Sequence, residues 1–128
     1  MTDTATTDSA TVELLDVYFA MWREADAATR TALVERAFTA DGRHVDPLAD
    51  AHGHTELNDM VSNVHAHYPG FSIERTSGID QHGDQLRFAW KVDLADGTPL
   101  VAGIDVAELA ADGRLTRVAG FWGDLPAA

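Results

Sequence analysis

Three turn pairs, Gly83-Asp84, Asp96-Gly97 and Asp112-Gly113, cut the second half of this chain into short apolar-rich runs. Asp/Gly pairs between alternating runs mark hairpins. The runs at about 71–82, 85–94, 99–109 and 115–123 are therefore predicted to be four strands of an antiparallel meander. The 85–94 run carries the clearest pattern: Leu86, Phe88, Trp90 and Val92 alternate with Arg87, Ala89, Lys91 and Asp93. One face of that strand is buried and the other is wet.

The first half reads differently. Leu14, Leu15, Tyr18, Trp22 and Ala25 recur at three- and four-residue spacing, which predicts a helix from Ser9 to about Ala25 with those residues facing inward. Asp26 is placed to cap a second helix striped by Leu33, Val34, Ala37 and Phe38 and ended by Asp41-Gly42. Arg43 to Asp46 reads as a short strand stopped by Pro47, and residues 48–53 as a loop. A third helix is predicted from Thr55 to His67, with Leu57, Met60, Val61 and Val64 inward and Pro69-Gly70 beyond its end. Helices followed by hairpin-linked strands call for an α+β domain with the helices on one face of an antiparallel sheet. Residues 1–8, mostly Thr, Asp and Ala, read as a flexible leader, and 9–125 as a single domain.

Composition narrows the function. A net charge of −12 with one lysine and eight scattered arginines argues against nucleic acid, whose phosphates need clustered cations. No run reaches the apolar length of a membrane span, and Met1-Thr2-Asp3-Thr4 lacks the parts of a signal peptide. With no cysteine there is no disulfide, thiolate metal site or cysteine nucleophile, and a reducing cytoplasm is the expected location. Among the histidines, His65 and His67 stand two residues apart on a helix, the wrong spacing for ligands on one face. His52 and His54 fall in a loop with no fixed carboxylate nearby, so no metal is expected. Nor is there a phosphate loop or serine elbow, and no cofactor is expected.

Three side chains carry the possible chemistry. Asp46, held before Pro47 at a strand end, is the candidate general base; an Asx-type cap of the following turn is the competing role. Asp105 lies in the otherwise uncharged run Val101–Ala107, on the face shared with Val101, Gly103 and Ala107. In apolar surroundings its carboxyl would stay protonated and donate to a developing oxyanion; on a wet face it would pair with Arg87 or Arg117 instead. Tyr18 is either a second donor or core filling. His44, on the face of Asp46, would orient that carboxylate or fill the core. Trp90 and Trp122 are candidate walls for a flat apolar ligand.

The stretch Tyr18–Trp22, with Val45-Asp46-Pro47, Gly53, Gly103-Ile104-Asp105 and Gly120-Phe121-Trp122-Gly123, resembles the NTF2-like superfamily. It is most similar to the branch of SnoaL-like polyketide cyclases and ketosteroid isomerase. The resemblance implies a cone of three helices on a curved sheet enclosing an apolar pocket, commonly in a homodimer. It places the general base on Asp46, the neutral carboxylic acid on Asp105 and the oxyanion tyrosine on Tyr18. The pocket wall would be Trp22, His44, Met60, Phe88, Trp90, Val118 and Trp122. Met60 and Val61 replace the isomerase's buttressing tyrosine, and Trp22 narrows the space beside Tyr18, so a smaller substrate than a steroid is expected. Two functions follow from the resemblance. One is cofactor-independent proton transfer on a small apolar carbonyl compound, by isomerisation or cyclisation. The other is a non-catalytic hydrophobic-ligand-binding or dimeric accessory module.

Overall fold

A computed structural model describes residues 8–128; the stretch read as a leader lies, apart from Asp8, outside the described residues. Helix α1 (Ser9–Arg23) begins where the Asp8 carboxylate accepts the Ala10 N–H, and α2 (Ala27–Ala37) where Asp26 accepts that of Thr29 at 2.8 Å. Both are side-chain caps on otherwise orphaned N–H groups. The chain then runs β1 (Phe38–Val45), β2 (Asp50–His52), α3 (Gly53–His67), β3 (Ser72–Arg75), β4 (Asp80–His82), β5 (Gln85–Asp93), β6 (Pro99–Leu109) and β7 (Leu115–Trp122). Among the described residues no helix is long and apolar enough to cross a membrane.

The sheet order is β2-β1-β7-β6-β5-β3, with β4 also on β5. It is mixed, not antiparallel throughout: β1 runs parallel to β7, with His44 opposite Val118 and Val45 opposite Ala119. Turn pairs fix the direction of consecutive strands only. No hairpin joins β1 to β7, so the turns carry no information about that pair. The parallel register matters for the site, because it sets the end of β1, and hence Asp46, beside Gly120. Gly120 in turn faces Asp105 across β6 and β7.

Three further boundaries differ from the sequence reading. Asp41-Gly42 does not end a helix; α2 stops at Ala37, fully buried Phe38 opens β1, and the register shifts between Phe38 and Arg43. A bulge there absorbs the residues that read as a stop. Asp50–His52, read as loop, pairs with β1 as a short edge strand. The 71–82 run is two strands. From Arg75 to Asp80 the chain advances five positions while its partner moves from Trp90 to Arg87, three positions. The extra residues swing out at Ser77, whose hydroxyl accepts the Ala89 N–H in place of a ladder bond.

The core lies between the helices and one face of the sheet, where Leu15, Tyr18, Met21, Val34, Leu57, Val61, Phe88, Leu115 and Val118 are all nearly inaccessible. On the opposite face Ile104 and Phe121, neighbours in the β6–β7 register, remain 45% and 63% exposed.

Candidate active site

A pocket of about 470 Å³ opens between the sheet and the helices α1 and α3. That is within the ~300–1,000 Å³ usual for small-molecule sites. Its wall is mostly apolar and includes all three tryptophans of the chain, Trp22, Trp90 and Trp122. Tyr18, His44, Asp46, Asp105 and Gly120 form one polar end.

Asp105 is 4% exposed and both its oxygens are engaged. Oδ2 accepts the Tyr18 hydroxyl at 2.8 Å and Oδ1 accepts the Trp90 indole N–H at 2.9 Å. Neither arginine considered as a partner is bonded to it, and Arg87 pairs with Asp80 at 2.8 Å. Burial raises the Asp105 carboxyl above the ordinary aspartate value. His44 and the two hydrogen bonds pull the other way, and the nearby Asp46 charge adds to the rise. Burial, followed by the Asp105 carboxyl, also lifts the Tyr18 phenol well above its usual range, so it remains a donor. The Trp90 N–H occupies Oδ1. A proton on Asp105 therefore belongs on Oδ2, in the bond to Tyr18, and its presence turns the phenol O–H toward the pocket.

Asp46 makes the turn cap considered for it and keeps its second oxygen at the pocket. Oδ1 accepts the N–H groups of Leu48 and Ala49, each at 2.9 Å, which closes an Asx-type turn. Oδ2 lies 2.9 Å from His44 Nε2. Three of the carboxylate's roughly four lone-pair positions are thus occupied, and the fourth, on Oδ2, is left for a substrate proton. Burial acts to raise this carboxyl. The His44 hydrogen bond and charge, with the Leu48 and Ala49 N–H groups, outweigh it and hold Asp46 below the ordinary aspartate value. His44 is 3% exposed, and its Nδ1 is buried without a hydrogen-bond partner among the described residues. Nε2 carries the proton shared with Asp46; an uncharged ring then strands only a lone pair on Nδ1, whereas the charged ring that helps hold Asp46 down strands an N–H there, at greater cost.

Two glycines that the sequence reading left without a site role make this cluster possible. A Cβ on Gly120 would sit 3.1 Å from Asp105 Oδ1 and 3.3 Å from Asp46 Cβ, so any larger side chain would press both acids aside by a few tenths of an ångström. A Cβ on Gly103 would meet the Phe121 carbonyl oxygen at 2.3 Å and the Trp90 ring at 2.8 Å. Gly103→Ala is therefore expected to push Trp90 off Asp105 and to lower unfolding free energy by about 1–3 kcal/mol in a denaturant titration. An unchanged midpoint would contradict this packing.

Of the pocket residues expected from sequence, Trp22, His44, Met60, Trp90 and Trp122 line the cavity, but Phe88 and Val118 do not. Phe88 packs edge-on against Tyr18 and Phe19, with centroids at 6.1 and 5.7 Å, and supports the phenol from behind. Val118 is fully buried on β7, beside His44 in the β1–β7 register. Residues missing from that expectation include Leu48 and Ala49 of the Asx turn, Asn63, Val64, His67 and Tyr68 of α3 and its end, and Val101 and Leu100 of β6. Val101 shares the face of Asp105, a signal that was available. Of the histidines considered for metal, His54 meets the Phe38 carbonyl and His65 the Trp22 carbonyl, both structural contacts. Among the described residues no group of three His, Asp or Glu is placed to hold a metal ion.

The Asp105 environment makes a stability prediction. Its folded-state pKa is raised, so the stability it contributes is full below the unfolded value near ~4 and is lost as pH rises through the folded value. Asp105→Asn keeps an acceptor for Trp90 and offers Tyr18 a donor, but it cannot ionise. The melting temperature of the variant relative to wild type should therefore climb as pH rises from 4 toward neutrality. Parallel curves would mean that Asp105 is not held protonated.

Three helices on one face of a mixed sheet, with a pocket between them, define an NTF2-like α+β fold. An NTF2-like protein of unknown function from an Exiguobacterium species has it, with TM-score 0.70, 24% identity, and 88% of this chain and 99% of that one covered. A proposed SnoaL-like polyketide cyclase from a Jannaschia species superposes at TM-score 0.73 with 13% identity, over 95% of this chain and 91% of that one. A proposed isomerase of the SnoaL-like family from Agrobacterium tumefaciens matches at TM-score 0.85 and 30% identity, over 91% of this chain and all of that one. This chain belongs to the SnoaL-like family of NTF2-like proteins. No protein-family model matches the chain, and the curated proteins supply no match.

Proposed function

We propose that this protein is a cofactor-independent enzyme that transfers a proton within a small, largely apolar carbonyl compound. The observation that carries the proposal is the hydrogen-bonded set Tyr18–Asp105–Trp90, placed at the same end of the pocket as the His44–Asp46 pair. Asp46 takes the proton from the carbon next to the carbonyl, and the C–H electron pair moves to make an enolate. Tyr18, turned outward by a protonated Asp105, donates to the enolate oxygen. The proton then returns to a different carbon, which is isomerisation, or the enolate carbon attacks a second carbonyl of the same molecule, whose π pair becomes an alkoxide that takes the proton back from Asp46, which is cyclisation.

The electrostatics of Asp46 restrict the substrate. A carboxylate already holding three donors is a weak base, so the carbon acid must be an activated one, flanked by a second π-system or carbonyl. The test is solvent exchange: 2-tetralone, whose C1 protons are both benzylic and next to the carbonyl, is incubated with the protein in D₂O and followed by proton NMR. Catalysed loss of the C1 signal supports the proposal, and a rate equal to buffer alone removes it. Conversion of a β,γ-unsaturated cyclic ketone to the conjugated enone, read by ultraviolet absorbance, then separates isomerase from cyclase.

A further inference from the structure

The pocket carries polar groups at its exposed rim as well as at its buried end. Whereas the acids are largely buried, the last turn of α3 contributes Asn63 and His67, followed by Tyr68, and all three line the cavity from exposed positions. Asn63 and His67 are four residues apart and so share a helix face. His67 Nδ1 lies 2.8 Å from the Asn63 carbonyl oxygen. A carbonyl only accepts, so Nδ1 carries a proton, and Nε2 is the ring nitrogen left to face the cavity, an acceptor whenever it carries no proton. Among the described residues neither His67 Nε2 nor the Asn63 side-chain amide has a hydrogen-bond partner. One acceptor and one donor, one turn apart, border an apolar cavity.

The group that satisfies both is a hydroxyl, which donates one hydrogen bond and accepts others. An anion fits poorly: among the described residues no lysine or arginine lines the pocket, while two carboxyl groups, Asp46 and Asp105, do. Met60, Val64 and Phe71 add apolar wall to the same cavity. Resting on the proton-transfer reading for the inner end, the geometry points to a substrate with a hydroxyl remote from its reactive carbonyl, donating to His67 Nε2 and accepting from the Asn63 amide. Asn63 and His67 are then the residues that select this substrate class, while Asp46, Tyr18 and Asp105 act on its other end.

Isothermal titration with 2-tetralone and 6-hydroxy-2-tetralone tests this, on wild type and on the Asn63→Leu/His67→Leu double variant. Wild type is expected to bind the hydroxylated ketone about tenfold more tightly, the scale of one net hydrogen bond. In the double variant the ratio of the two affinities should fall to about one. Equal binding by wild type, or a preference that survives both substitutions, overturns the outer subsite. C1 exchange recorded on the same samples keeps the two readings apart. Exchange without hydroxyl preference sinks the subsite alone. A preference without exchange sinks proton transfer and leaves the subsite standing, and failure of both ketones to bind sinks both.

Discussion

Asp46→Asn is expected to slow C1 exchange of 2-tetralone by about 10²- to 10⁴-fold, the usual contribution of a positioned general base. The loss should appear in kcat, because the amide fills the same space and the apolar walls still bind the ketone. A second consequence follows from the hydrogen bonds. The amide oxygen of the variant can still receive the Leu48 and Ala49 N–H groups, which leaves its NH₂ facing His44 Nε2. Two donors would then meet unless the imidazole moves its proton to Nδ1, where it is buried with no partner. The variant should accordingly lose about 1–3 kcal/mol of stability, the cost of an unsatisfied buried donor. In wild type, Asp46 lies below the ordinary aspartate value. The stability it adds is present above the unfolded value and lost as pH falls through the folded one, and the acid limb of kcat/KM should fall in that same low range. Exchange that persists within a few-fold in Asp46→Asn would leave this residue as nothing more than the clamp of the 46–49 turn.

How far the sequence disclosed this site depends on which link each residue occupies. Period-two alternation placed Asp105 on a strand face and three- and four-residue spacing placed Tyr18 on a helix face, and both patterns are local. That they meet at 2.8 Å depends on the packing of α1 over β6, to which no local signal refers. Asp46 shows the limit more sharply. Its approach to Gly120 comes from the parallel β1–β7 pair, which joins strands far apart in the chain without a hairpin between them. The resemblance to a known family supplied what periodicity lacked. Phe88 was misplaced because an inward face covers both core and cavity wall, and alternation does not separate the two. The Asn63–His67 pair was missed for the opposite reason: both are exposed polar residues, and they line a site only because α3 ends at its mouth. Arg30 was passed over entirely, since an arginine amid the polar positions of a helix reads as solvated.

Arg30 is in fact the largest fully buried side chain of the described residues, and its replacement should have the largest effect on stability of any substitution outside the site. Among the described residues no carboxylate is hydrogen-bonded to it, although the charges of Glu24 and Asp26 act on it from nearby. Nε and Nη2 donate to the Glu24 carbonyl just past the end of α1, at 2.8 and 2.6 Å. Nη1 donates to the Asn58 carbonyl, the Asn58 side-chain oxygen and the Ser62 hydroxyl at 3.1, 2.7 and 2.7 Å. One planar cation therefore ties the end of α1 and the start of α2 to the middle of α3, using the fork of donors that lysine lacks. Arg30→Met fills much of the volume but strands these acceptors, and about 3 kcal/mol of stability should be lost. For a domain of this size that lowers the melting temperature by about 10 °C. Arg30→Lys, one point charge in place of a fork, should recover less than half of the loss. The effect should reach the pocket, because Met60, Asn63, Val64 and His67 line it from the same helix. Thermal melts of both variants, with 2-tetralone titrations below the transition, measure the two consequences together. A melting temperature within 2–3 °C of wild type in Arg30→Met would mean that these acceptors find water or other donors, and that α3 is held in place by its apolar face alone.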